Sequence, residues 1–199
     1  MSNKIYSGAL TALLLFSAVT VSAGPAEQDE QKKILMIADF ESGEARNNIY
    51  GGYFGVWERN LNEEIRGCRM SFFEPGRNDS DYCLKLEYDV NPPNSPYTGL
   101  WLLFDDLDLT SYKKLSFWAK GDGKTGYTRY FKVEFKNDNE SASVITPPLS
   151  DEWRRLEIPL SKFNIKDRTK ITEFVIVFED KEVSKKKGTI YIDDIAVEK

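Results

Sequence analysis

Beyond its first thirty or so residues, this chain sets apolar side chains in short alternating runs and never holds a helical period. The clearest run places Leu115, Phe117 and Ala119 between Ser116, Trp118 and Lys120. A turn over 108–114 precedes it, and Gly121-Asp122-Gly123 stops it. That is the pattern of a strand with one face in a core. The same alternation predicts strands over 34–40, 69–73, 83–90, 98–104, 130–137, 153–160, 174–180 and 188–197, with shorter extended pieces at 53–57 and 143–146. Between them lie turn-rich segments. Residues 44–66 hold Asn47-Asn48, Gly51-Gly52 and Gly55, which disfavour a helix and predict a long surface loop around the 53–57 piece. Residues 91–96 contain three prolines and cannot be strand interior. Residues 181–187 read as a solvated, charged hairpin tip. So many short strands, with turns between them, predict an all-β, two-sheet antiparallel β-sandwich of the jelly-roll type.

The N-terminus follows a different grammar. Lys4, an apolar run over 9–21 and the small residues Val21-Ser22-Ala23 predict a signal peptide (1–23) cut after Ala23, hence a secreted or periplasmic protein. The run is too short and too rich in Ala, Ser and Thr for a membrane span, so none is expected in the mature chain. Residues 24–33 read as a flexible polar tail, and 34–199 as a single domain. The net charge of −5 argues against nucleic acid and anionic lipid as main partners. Two cysteines in an exported chain predict a disulfide between Cys68 and Cys83. A metal-binding or nucleophilic pair would lack any histidine beside it.

Several segments carry a resemblance: Asp39-Phe40-Glu41-Ser42-Gly43, the Gly-Gly-x-Phe-Gly-x-Trp stretch at 51–57, Cys83-Leu-Lys-Leu-Glu-Tyr-Asp-Val90 and Asp108 through Gly123. Residues 153–163 and the terminal 188–199 add to it. In this order they resemble the carbohydrate-binding module family 11-like domains of the galactose-binding-like jelly-roll group. The resemblance implies a module that binds a polysaccharide or oligosaccharide, β-glucan-like or from the cell envelope, on a concave sheet face. It also implies a structural Ca²⁺ away from that face. The fold alone leaves open an envelope protein-interaction or assembly module. Such modules usually accompany a catalytic domain, and the sequence shows none.

Sugars offer apolar C–H faces and a rim of hydroxyls, so exposed Tyr or Trp rings beside charged side chains suit them. Tyr50, Tyr53, Trp57, Tyr97, Tyr127 and Tyr130 fall outside the regular core pattern. Alternation turns Trp101, Trp118, Lys132, Glu134 and Lys136 outward, and Arg155 and Glu157 outward on a strand expected alongside. The expected carbohydrate-binding set is Tyr53, Tyr97, Trp101, Trp118, Tyr130, Lys132, Glu134, Lys136, Arg155 and Glu157. Trp57, Trp118 and Trp153 are, one by one, read as packing residues before platforms. With first and last strands as neighbours, Asp39, Glu41 and Asp193 are the expected calcium ligands, Asp194 pointing the other way. No catalytic residue is expected: the chain has no histidine, hence no histidine base, triad or zinc site. An enzyme would need two facing carboxylates in a cleft.

Overall fold

The computed structural model describes residues 33–44, 52–57 and 67–199. The expected signal peptide, all of the tail but Lys33, and most of the loop over 44–66, Tyr50 included, lie outside the described residues. Eleven strands follow in order: β1 (Ile34–Ala38), β2 (Phe54–Val56), β3 (Cys68–Phe73), β4 (Cys83–Asp89), β5 (Tyr97–Leu107) and β6 (Lys114–Gly121). Then come β7 (Lys132–Lys136), β8 (Ser141–Ile145), β9 (Arg154–Pro159), β10 (Ile171–Glu179) and β11 (Lys187–Glu198).

The strands form the antiparallel sandwich that the alternation predicts. One sheet runs β3-β4-β11-β6-β9, with β1 beside the C-terminal half of β11; the other runs β2-β5-β10-β7-β8. The first and last strands are indeed neighbours, Ile34 opposite Glu198 and Leu35 opposite Val197. Among the described residues no helix is long and apolar enough to cross a membrane.

Each strand sends alternate side chains inward. Leu84, Leu86 and Tyr88 of β4 and Leu115, Phe117 and Ala119 of β6 meet Leu100 and Leu102 of β5 and Phe174, Ile176 and Phe178 of β10. Tyr88 of one sheet stacks on Phe178 of the other, centroids 4.1 Å apart and planes within 9°. Burying such rings supplies the main driving force for closing the two sheets, roughly 1.5–3 kcal/mol per large apolar side chain.

Two expectations need correction here. Cys68 and Cys83 form no disulfide. The β3–β4 register puts Cys68 opposite Tyr88 and Cys83 opposite Phe73, five positions along the ladder. At ~3.4 Å per residue that is roughly 17 Å, against the 7 Å or less between Cα atoms that a disulfide needs. Second, the alternation of β11 breaks between Asp193 and Ala196. Asp194 takes φ 48° in this bulge, so it does not point away from Asp193 as strict alternation requires.

Candidate functional site

The outer faces of the two sheets share a composition of aromatics and ion pairs but differ in what is left open. On the β2-β5-β10-β7-β8 sheet the outward positions of β5 are Tyr97, Gly99, Trp101, Leu103 and Asp105, because Leu100, Leu102 and Phe104 face the core. The register then lays out a row across the sheet: Gly55 of β2, Trp101 of β5, Val175 of β10 and Glu134 of β7.

Gly55 decides how this row is built. A Cβ placed on it would lie 2.6 Å from Cζ2 of Trp101, inside the 3.5–4.0 Å of ordinary carbon contact. The missing side chain lets the Trp101 indole lie against the backbone of β2. Tyr53 adjoins the same row, its carbonyl accepting the amide of Leu103 at 2.9 Å. Tyr53 and Tyr97 are 59% and 58% exposed, and Leu103 is 41% exposed. From the Leu103 position to Tyr97 the apolar lane runs roughly 20 Å along β5. Trp57 stands edge-on to Tyr97, centroids 6.5 Å apart, with the Lys136 ammonium 5.9 Å from its ring.

Beside the aromatic lane runs a charged one. Lys132 pairs with Glu179 and lies 4.0 Å from Glu134; Lys136 pairs with Glu173 at 3.0 Å. Between the lanes, Val175 and Val177 form a buried apolar floor. A pyranose ring set on Trp101 would have carboxylate acceptors and ammonium donors across that floor.

The expected binding set therefore divides. Tyr53, Tyr97, Trp101, Lys132, Glu134 and Lys136 share this face. Tyr130 lies just before β7, its ring 5.8 Å from the guanidinium of Arg129. Trp118, Arg155 and Glu157 belong to the opposite sheet, on β6 and β9, so they do not join the others. There the Arg77 guanidinium covers Trp118 at 4.3 Å while bonding Asp194 at 2.5 Å. Arg155 and Lys114 converge on Glu198, which also accepts the Ser116 hydroxyl at 2.5 Å. Burial opposes ionisation of Glu198, yet Ser116, Lys114 and Arg155 outweigh it and hold its pKa below the ordinary value. Glu157 pairs with Lys114 and Arg155, not with Lys132. The Lys120 ammonium lies between Trp153 and Tyr191, 4.8 and 5.0 Å from their rings. Tyr127 packs against Gly121.

Sequence reasoning placed Leu103 beside Trp101 but did not single out Glu173, Glu179 and Val175 as part of this face. The signal was available: Glu173, Val175, Val177 and Glu179 share one parity of β10.

The carboxylates at the β1–β11 end are occupied by protein donors. Asp193, buried, accepts the amides of Arg77 (3.0 Å) and Asp194 (2.9 Å). Glu41 accepts the amides of Asp81 and Tyr82, and Asp39 that of Glu41. Among the described residues no group of three or more His, Cys, Asp or Glu side chains is placed to hold a metal. Asp39, Glu41 and Asp193 thus do not fit Ca²⁺ as a set of three side-chain ligands. Burial, above all, raises the pKa of Asp193 to about 6, with the neighbouring charges of Asp194 and Glu41 adding to it against the amide bonds. Burial likewise pushes Cys83 up to about 12.

Comparison with known proteins agrees with the geometry. No curated protein matches the chain. The family 11 carbohydrate-binding module of Clostridium thermocellum, solved with a β-1,3-1,4-mixed-linked tetrasaccharide, superposes with a TM-score of 0.59 at 19% identity, covering 83% of this chain and 95% of that one. A family 30 carbohydrate-binding module superposes at 0.58 with 15% identity, covering 82% and 97%. The family 30 module of a Clostridium thermocellum cellulosomal cellulase does so at 0.53 with 14%, covering 82% and 96%. These likenesses establish the fold. The sequence itself matches Carbohydrate binding domain 30 over residues 62–199, most of the folded chain. It is to this family of carbohydrate-binding domains, family 30 beside the structurally similar family 11, that the chain belongs.

Proposed function

We propose that the protein binds a β-glucan-like polysaccharide on the outer face of the β2-β5-β10-β7-β8 sheet. One observation carries the reading: Trp101 packs closely over Gly55 on the face that bears two exposed tyrosines. Aromatic rings held open to solvent in a row are costly to keep unless something stacks on them. The sugar's C–H face would sit on Trp101, with Tyr53 and Tyr97 extending the lane. Its hydroxyls would bridge the Lys132–Glu179 and Lys136–Glu173 pairs, donating to carboxylate and accepting from ammonium. The β-1,3-1,4-mixed-linked tetrasaccharide held by the family 11 module supports this choice of ligand class. Export, expected from Lys4, the apolar run and the cut after Ala23, belongs to the same proposal.

The test is isothermal titration of the folded domain with soluble β-1,3-1,4-glucan, comparing wild type with Trp101→Ala, Tyr97→Ala and Trp118→Ala. Binding abolished by the first, weakened by the second and kept by the third is expected. Binding that survives Trp101→Ala would refute the assignment of the face. A folded protein that takes up no glycan would turn the face over to a protein partner.

A further inference from the structure

The four strands that end the two sheet paths differ in how they meet solvent. β2 is only three residues long. β3 carries Arg69 and is followed by Glu74-Pro75; β9 carries Arg154, Arg155, Glu157 and Pro159. Shortness, charge and proline are the devices that keep a sheet edge from pairing with another chain. β8, Ser-Ala-Ser-Val-Ile from 141 to 145, has neither charge nor proline within it, Glu140 and Pro147-Pro148 standing only at its ends.

Its hydrogen-bond parity can be read directly. The Asn137 amide donates to the Glu140 carbonyl at 3.0 Å, and that of Thr146 to Phe131 at 2.9 Å. Both ends of the β7–β8 ladder are therefore hydrogen-bonded pairs, and alternation makes Phe135–Ala142 and Val133–Val144 the pairs between them. The amides and carbonyls of Ser141, Ser143 and Ile145 must then point away from β7, along the open edge. Among the described residues these groups have no hydrogen-bond partner. Ser141, Ser143 and Ile145 are exposed, and Ala142 and Val144 only partly buried.

We infer that β8 is a self-association edge, pairing antiparallel with the β8 of a second copy about a twofold axis at Ser143. The occupant follows from the strand's own chemistry. A twofold axis sets Ser143 against Ser143 and Ser141 against Ile145, all of which have outward-pointing backbone groups. Ala142 then meets Val144, closing an apolar gap at the edge of both cores. No like charges are opposed, since Glu140 falls opposite Thr146. Neither a charged nor a proline-rich partner would find a complementary group along this edge. The result is one continuous sheet through both copies, with the two glycan faces side by side on the same surface. Two linked faces on one long polysaccharide would gain avidity without any new sugar contact.

The experiment is sedimentation of the folded wild-type domain over a wide concentration range, with Ser143→Lys and Ser143→Cys alongside. Concentration-dependent doubling of mass is expected in the wild type. Ser143→Lys, which opposes two ammonium groups on the axis, should stay monomeric with an unchanged circular dichroism spectrum. In a hydrogen-bonded antiparallel pair the Cα atoms are ~5.5 Å apart, within disulfide range. Ser143→Cys should thus crosslink to a covalent dimer under mild oxidation, and Ser71→Cys on β3 should not. A wild type that stays monomeric at every concentration overturns the inference. So does a dimer that persists in Ser143→Lys and leaves Ser143→Cys uncrosslinked. Both results stand apart from glycan binding, which a monomer can perform.

Discussion

Replacing Gly55 with alanine isolates the part of the site that rests on a missing side chain. The new methyl carbon would lie 2.6 Å from Cζ2 and 3.2 Å from Cη2 of Trp101, so the indole must rise by about 1 Å to regain ordinary contact. Nothing in the core changes, because position 55 faces outward while Phe54 and Val56 face in. A gap of 0.5–1 Å forfeits about a quarter to a half of a contact's attraction. If Trp101 is a binding hot spot of about 2 kcal/mol, the displaced ring forfeits roughly 0.5–1 kcal/mol, which weakens glycan binding about two- to fivefold. Titration with soluble β-1,3-1,4-glucan measures it, next to Trp101→Ala as the full loss and a urea melt for stability. Unchanged affinity in Gly55→Ala, with Trp101→Ala still abolishing binding, would refute the claim that Gly55 sets the height of the platform.

Trp118→Ala should lower stability by about 2 kcal/mol, because Trp118 is part-buried beneath Arg77. For a domain of this size that is a fall of roughly 4–8 °C in Tm, read by calorimetry. Asp193 gives a pH signature. Its folded pKa of about 6 lies above the 3.8 of an unperturbed aspartate, so ionising it opposes folding. Its contribution is most favourable below pH 4 and is lost as pH rises through 6, by up to about 3 kcal/mol. Urea melts of wild type and Asp193→Asn should diverge between pH 4 and pH 7, and a constant difference would exclude the effect. Finally, three carboxylates (Glu134, Glu173 and Glu179) stand on the proposed glycan face against two lysines, both already paired. Carboxymethyl substitution of a soluble glucan should therefore weaken binding severalfold at low salt, and high salt should narrow the gap. Equal affinity in both salts would show that those charges do not reach the ligand.

Alternation located every described strand because each has one face in a single core. Leu115, Phe117 and Ala119 face the core, while Ser116, Trp118 and Lys120 turn to the outer side, Ser116 buried there against Glu198. What alternation cannot say is which sheet a strand joins. β7 and β9 read alike in sequence, yet one joins β10 and the other β6. Lys132 and Arg155, expected on one surface, consequently lie on opposite sides of the molecule. The outward parity of β10 was hidden for another reason: the strand is apolar on both faces, Phe174, Ile176 and Phe178 in the core and Val175 and Val177, also buried, on the outer side. The Asp193–Asp194 bulge has no pattern that distinguishes it from a regular strand end. Cys68 and Cys83 met the compartment argument for a disulfide, but pairing is decided by register, which composition does not carry.

The two outer faces finally explain why composition alone could not choose between them. Each has tryptophan, tyrosine, lysine and glutamate. On the β3-β4-β11-β6-β9 sheet the cations are laid on the rings, Arg77 on Trp118 and Lys120 between Trp153 and Tyr191. A guanidinium or ammonium on an aromatic face takes the place a sugar would occupy, and the carboxylates beside it hold it there. On the β2-β5-β10-β7-β8 sheet Lys132 and Lys136 stand on β7, two strands from Tyr97 on β5, and pair with Glu179 and Glu173 of the intervening β10; of the rings there Trp57 draws a cation, Lys136 at 5.9 Å. With no cation among the described residues laid on them, Tyr53 and Tyr97 stay exposed beside the ion pairs. It is this arrangement, set by strand order and not by residue type, that supports the proposed polysaccharide face and sets cations over the rings of the other.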